Sequence, residues 1–178
     1  MFFSMCQWGV EDVWKWGMPV GNSWRNTYDL QGNWKSILTN LDQQPSLSRY
    51  SGIGGWNDPD LLIVGNGLMT NDEYQSQFVI WAALKAPLLI SINIVGVTPE
   101  ALAILGNEEV IAINQDPLGK QADLMVDDKS SSHYRQIWGG PLSGDRYVFV
   151  CFNRGDNPTT FHLDPASLTP GRQFESAR

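Results

Sequence analysis

The sequence predicts an α/β fold that changes architecture near residue 120, and three observations carry the reading. Strand-like and helix-like stretches alternate up to about residue 114, the rhythm of a parallel sheet covered by helices. Beyond about residue 120, HYRQIW, RYVFVCFN and TTFHL alternate apolar and polar residues between the turns GGPLSGD and RGDNP, which predicts antiparallel β structure. DPLGKQAD separates the two patterns, so the expected division is residues 1–120 and residues 121–178.

Each element has a local reason. FFSMCQW reads as a buried strand, and GNSWR as a second one reached through a Trp-rich loop, VEDVWKWG. Trp34, Ile37, Leu38 and Leu41 fall at i, i+3, i+4 and i+7, the stripe of an amphipathic helix, with Asn33 as its cap and Pro45 beyond its end. GIGGWNDPDLLIVGNG then supplies a third strand, with Leu61, Leu62, Ile63 and Val64 as its buried run. Thr70 and Glu73 form a capping box ahead of the stripe Tyr74, Phe78, Trp81 and Ala82. PLLISIN is the fourth strand. Thr98 caps the next helix with Pro99 at its first position, and NEEVIAIN is a short helical stretch.

Composition excludes several roles. A net charge of −7 over 178 residues argues against nucleic acid or an anionic membrane as partner. The longest apolar stretch, FVIWAALKAPLLISI, is interrupted by Lys85 and Pro87 and is too short to span a bilayer. MFFSMCQWGVEDVW lacks a basic region and a small-residue cleavage site, so no signal peptide is expected within this chain. Cys6 and Cys151 make no disulfide framework, and His133 and His162 lack a ligand at metal spacing, so structural roles are expected for both histidines and no cofactor is expected.

The chemistry concentrates at strand ends. Three predicted strands finish in polar groups: Cys6-Gln7-Trp8, then Arg25 with Asp29 just beyond, then Asp58 and Asp60. An arginine, several carboxylates and several tryptophans suit a neutral, polyhydroxylated ligand, because carboxylates accept hydrogen bonds from sugar hydroxyls and indole faces stack on a pyranose. The plainer reading has the tryptophans filling a core, Asp29 capping a helix and Asp58 closing a turn. Four βα units fall short of a closed barrel, which takes eight and roughly 250 residues, and an open doubly wound sheet also fits the pattern. GIGGW does not continue as a Gly-rich phosphate loop. The residues alone therefore point to a sugar enzyme or a sugar-binding module.

CQWGVEDVWKWG, VGNSWRNTYD, GGWNDPDLLIVGNG, WAALKAPLLIS, NQDPLGKQ and WGGPLSG occur here in one order, and that order resembles the melibiase-type α-galactosidases. The resemblance covers residues 3 to about 155. It implies a retaining glycosidase with a (β/α)8 barrel followed by an antiparallel β-sandwich, the chain holding barrel strands five to eight and part of the sandwich. It further implies that Asp29 is the general acid/base, that Arg25 and Asp60 hydrogen-bond the sugar, and that Cys6, Gln7 and Trp8 line the pocket near the sugar's 2-position. Gln7 stands where the family has Glu, which keeps a donor and an acceptor but loses the charge. Proline fixes the backbone between Asp58 and Asp60, so Asp60 is expected to face the ligand while Asp58 supports the backbone.

The family's nucleophile is an aspartate in a Lys-x-Asp word before the Cys-Glu-Trp strand, and no such word precedes Cys6 here. The expectation is an α-galactosidase acting on oligosaccharides or galactosyl polysaccharides, without metal or organic cofactor, extracellular when intact, and completed by an N-terminal half of the barrel. A catalytically inactive sugar-binding fragment and a β-L-arabinopyranosidase are the alternatives.

Overall fold

The computed structural model describes residues 1–130 and 133–177, with the side chain of His133 also outside the described set. Its first sheet is parallel: β1 (Ser4–Met5), β2 (Ser23–Arg25) and β3 (Trp56–Asp58) lie in that order. Met5 sits beside Trp24, and Arg25 beside Asp58. The strands are shorter than the sequence suggests. FFSMCQW is ladder-paired only at Ser4 and Met5, and the third strand falls on Trp56–Asp58, ahead of the aliphatic run Leu61–Val64. PLLISIN forms a single parallel bridge, Ile90 to Leu62, instead of a strand. Pro59 lacks an N–H and the backbone turns to positive φ at Asp60, so the ladder stops before the run that looked most strand-like. Leu62, Ile63 and Val64 are nevertheless buried, held as irregular chain beneath the helices.

The helices follow the sequence pattern closely. VEDVWKWG, expected as loop, instead makes a tight 3-10 turn (Val10–Asp12) and a short helix α1 (Val13–Trp16). Helix α2 (Trp34–Leu41) starts at Asn33, whose side chain accepts from the Ser36 N–H, so the cap role proposed for Asp29 belongs to Asn33. Helix α3 (Asn71–Ala83) has the full capping box, with Thr70 bonded to the Glu73 N–H and Glu73 back to the Thr70 N–H. Helices α4 (Pro99–Leu105) and α5 (Glu108–Asn114) are capped by Thr98 and Asn107. No helix among the described residues is long and apolar enough to cross a membrane. Lys85, the interruption in the apolar stretch, is itself buried and donates from Nζ to the Ile113 carbonyl at the end of α5.

The second sheet is antiparallel, β4 (Asp123–Ser130), β5 (His133–Pro141) and β6 (Tyr147–Asn153) in sequence order. β5 and β6 contain the expected HYRQIW and RYVFVCFN. β4 was hidden because DLMVDDKS carries acids where a strand was not expected. Their partners are at hand: Asp128 faces Arg135 and accepts from its Nε at 3.1 Å, while Asp127 accepts from Gln136 Nε2 across the sheet at 2.9 Å and pairs with Lys129 Nζ at 3.1 Å. TTFHL forms no strand and runs as irregular chain into α6 (Pro165–Leu168), with Arg135 Nη1 donating to the Thr160 carbonyl.

One apolar cluster runs through both sheets' neighbourhoods. It joins Ile37 and Leu41 of α2, Leu62 and Val64, Phe78 and Trp81 of α3, and Trp138, Val148 and Phe152 of the antiparallel sheet. α3 is buried on several sides at once, because it packs against α4, α5, β5 and β6. A smaller cluster surrounds Trp24, and Gly17 and Gly55 are what let it in. A Cβ at Gly17 would lie 2.7 Å from the indole and one at Gly55 2.9 Å, which explains the Gly-Gly-Trp word.

Asp116 fastens the two architectures. Its side chain is 1% exposed and accepts from the Leu118 N–H (3.0 Å), the Ser143 N–H (2.9 Å), Ser143 Oγ (2.7 Å) and Arg146 Nη2 (2.8 Å). Burial alone would raise its pKa, but the Ser143 and Leu118 hydrogen bonds hold it below the ordinary carboxylate value. Asp116→Ala strands these donors and is expected to cost about 2–3 kcal/mol in urea unfolding. The stabilisation from the ionised acid should fade as pH falls through the depressed pKa.

Candidate active site

Parallel strands align their C-terminal ends, and here that edge gathers charge. β2 ends at Arg25 and β3 ends at Asp58 in the facing position, so an arginine and an acid are adjacent before any loop is considered. The middle residue of each word anchors the arrangement from below. Trp24 Nε1 donates to Asn57 Oδ1 at 2.8 Å, and Asn57 Nδ2 donates to the Leu47 carbonyl and to Gln121 Oε1 at 3.0 and 2.9 Å.

Asp58, Pro59 and Asp60 have separate tasks. Asp58 Oδ1 accepts the Asp60 N–H at 2.9 Å, closing a turn over the proline. That turn places Asp60 at φ 89°, a left-handed conformation seldom adopted by a residue with a Cβ. Three bonds hold it there. Trp81 Nε1 donates to the Asp60 carbonyl at 2.7 Å, the Leu61 N–H to Oδ1 at 2.7 Å, and the Leu30 N–H to Oδ2 at 2.7 Å. Arg25 Nη2 adds an ion pair to Oδ2 at 2.8 Å, with side chains only 11% and 7% exposed. Four lone-pair directions on a carboxylate minus these three contacts leave one, on Oδ1, for another donor.

Asp29 is the exposed counterpart. Its side chain is 59% exposed, and Oδ1 is 3.2 Å from Arg25 Nη2 and accepts Trp8 Nε1 at 3.1 Å. Both contacts fall on one oxygen, which orients the other outward. Trp8 is a left-handed residue at φ 57° and reaches this position because Gly9, at φ 76°, donates its N–H to the Arg25 carbonyl at 3.1 Å. A Cβ at Gly9 would meet the Asn26 carbonyl oxygen at 2.7 Å, so glycine is required after Trp8. The Trp8 and Tyr28 rings, both exposed, stand 6.3 Å apart.

The structure therefore brings Trp8, Arg25, Asp29 and Asp60 into one network. Cys6, which is exposed, and Gln7 stand at the end of β1 that leads into it, without a side-chain bond to it among the described residues. Sequence reading missed Tyr28, which had only its place beside Asp29 to mark it. It also missed Leu30, whose contribution is a backbone N–H that no residue type encodes. A third group it missed, Asn26, Asn40 and Gln44, is buried beneath the acids. Asn40 on the inward side of α2 was the available sign. No cluster of three potential metal ligands occurs among the described residues.

Comparison with known proteins shows a family. The family described as alpha galactosidase A matches residues 13–116. A probable α-galactosidase of Dictyostelium discoideum is 49% identical over 92% of this chain and 42% of its own length. A putative α-galactosidase/melibiase of Bacteroides fragilis superposes with a TM-score of 0.89 at 36% identity, over 96% of this chain and 39% of the other. An α-galactosidase of Saccharomyces cerevisiae crystallised with raffinose gives 0.84 at 27% identity, over 99% and 45%. The chain thus spans about two-fifths of the length of the relatives it matches.

Burial pushes the Asp58 carboxyl up to about 6, with the Asp60 N–H and Arg25 opposing the rise and the Asp60 charge adding to it. The folded state therefore holds this proton more tightly than the unfolded chain, whose value is near 3.8. Stability attributable to Asp58 is full below that value, declines as pH rises through the window up to about 6, and then levels off. Asp58→Asn keeps an acceptor for the Asp60 N–H but cannot titrate. Its stability relative to the parent should climb across that window to a plateau on the order of 2–3 kcal/mol, read by urea unfolding at several pH values. A difference that does not vary with pH would remove Asp58 from this role.

Proposed function

The chain belongs to the alpha galactosidase A family, and we propose that it carries the proton-transfer side of a site that hydrolyses terminal α-linked galactose with retention. The observation that supports this most is the pairing of one exposed and one buried carboxylate on a single guanidinium, Asp29 and Asp60 on Arg25. The exposed acid can exchange protons with a ligand, while the buried one fixes the arginine and offers its remaining lone pair to a sugar hydroxyl.

In this reading Asp29 protonates the glycosidic oxygen as the bond to the anomeric carbon breaks, then takes a proton from the water that attacks that carbon. A second carboxylate, about 5–5.5 Å away, forms the covalent intermediate between the two steps. That nucleophile belongs to a part of the relatives outside the two-fifths matched here. Arg25 Nε, buried and without a partner among the described residues, is a further donor for the sugar. Trp8 and Tyr28 supply apolar faces, and Gln7 lies near the 2-hydroxyl. In this reading β1, β2, β3 and the bridged segment at Ile90 are strands five to eight of an eight-stranded barrel and the antiparallel sheet is part of a β-sandwich, divided near residue 120. The substrates are galactosyl oligosaccharides or polysaccharides, which accords with the raffinose found on the yeast relative. Secretion of the intact enzyme is carried over from the same family resemblance.

The test joins this chain to the N-terminal portion of the Dictyostelium relative and assays aryl α-galactosides. Asp29→Asn should lower turnover about 10²–10⁴-fold on substrates with poor leaving groups. It should lower the galactosylation step far less where the leaving group needs no proton. Equal losses on both would leave Asp29 a positioning role only. The 178 residues assayed by themselves should show no turnover, and genuine turnover would require a nucleophile among them, with Asp58 the first to examine.

A further inference from the structure

We infer that Asn40 is a positioning residue that sets the spacing of the two carboxylates on Arg25. This rests on the assignment of Asp29 as acid/base given above. Asn40 lies in α2, is 3% exposed, and its Nδ2 donates to two carbonyls at once, that of Tyr28 and that of Pro59, each at 3.0 Å. Those carbonyls belong to the residues immediately before Asp29 and Asp60. One amide nitrogen therefore clamps the two acid-bearing loops at matching points, and its two N–H bonds are both used.

The clamp is held from behind. Gln44, one helical turn on and completely buried, donates to the Asn40 carbonyl at 2.9 Å and accepts from Asn26 Nδ2 at 3.0 Å. Asn26 in turn donates its backbone N–H to the Asp58 carbonyl at 3.1 Å. The chain of bonds thus leaves β2, passes through α2 and returns to both loops. A buried amide with both N–H groups bonded has one favourable arrangement, which suits it to fix a distance. The Asp29 carboxylate has no buried bond of its own, since its partners Trp8 and Arg25 grip only Oδ1. Its placement relative to Asp60 therefore depends on the backbone, and Asn40 is where that backbone is tied.

The experiment uses the joined enzyme with Asn40→Ala and Asn40→Asp, assayed across aryl α-galactosides of graded leaving-group acidity. Displacing an acid by about 1 Å costs on the order of 10²-fold in proton transfer. Asn40→Ala should therefore lose about that factor on poor leaving groups and several-fold at most on the best ones, the same skew as Asp29→Asn. Asn40→Asp should recover activity as pH is lowered, because a protonated carboxyl regains one donor toward the carbonyls. A uniform loss across leaving groups, or failure of both variants to fold, overturns the proposal and leaves Asn40 a role in the fold. If Asp29→Asn itself shows no skew, it is the acid/base assignment that fails, and the two outcomes are read separately.

Discussion

Almost everything at the ligand-facing edge depends on the ion pair between Arg25 and Asp60. Both groups are withdrawn from water, and a buried pair holds only if its remaining donors and acceptors are met. The surrounding residues are arranged to meet them: Leu30 and Leu61 give their N–H groups to Asp60, and Trp81 fixes its carbonyl. The left-handed backbone at Asp60 and the Asp58-Pro59 turn follow from the same need, since an extended chain would carry the acid past the arginine. With Arg25 fixed, Asp29 has a cation to rest on while remaining in solvent.

The reading of the sequence succeeded where one residue type had one local reason. The caps at Asn33, Thr70 and Thr98 and the stripe of α2 are contained in a few neighbouring side chains, and they stand as expected, whereas α3 is buried well beyond its stripe. Asp29, Arg25, Asp60 and Trp8 were singled out in advance, and the fold does assemble them, but the roles attached to them came from family resemblance. The two acids around Pro59 have a structural answer the sequence could only suggest, with Asp58 bonding the backbone that presents Asp60.

What escaped was set by pairing at a distance. Leu61–Val64 looks like a strand because it is aliphatic, but the ladder is decided by where Pro59 removes a donor. β4 looked too charged to be a strand because the residues that bond its acids across the sheet, Arg135 and Gln136, are seven and nine positions away. Asn40 was legible only as a polar residue on a helix. Its significance lies in two carbonyls, and carbonyls are the same in every residue.

Helix α2 touches more than the loops it ties. Its first residue, Trp34, packs edge-on against Phe152 of β6 with ring centroids 5.9 Å apart, and Asp42 at its far end pairs with Arg154 just past the same strand. The helix is thus seated at both ends on the antiparallel sheet, while Asn40 in its last turn bears on the acids. The sheet is then part of the machine's frame rather than an attachment to it. A change of packing in β6 would reach the carboxylates through α2, and exchanging that sheet for another would transmit its fit or misfit to them.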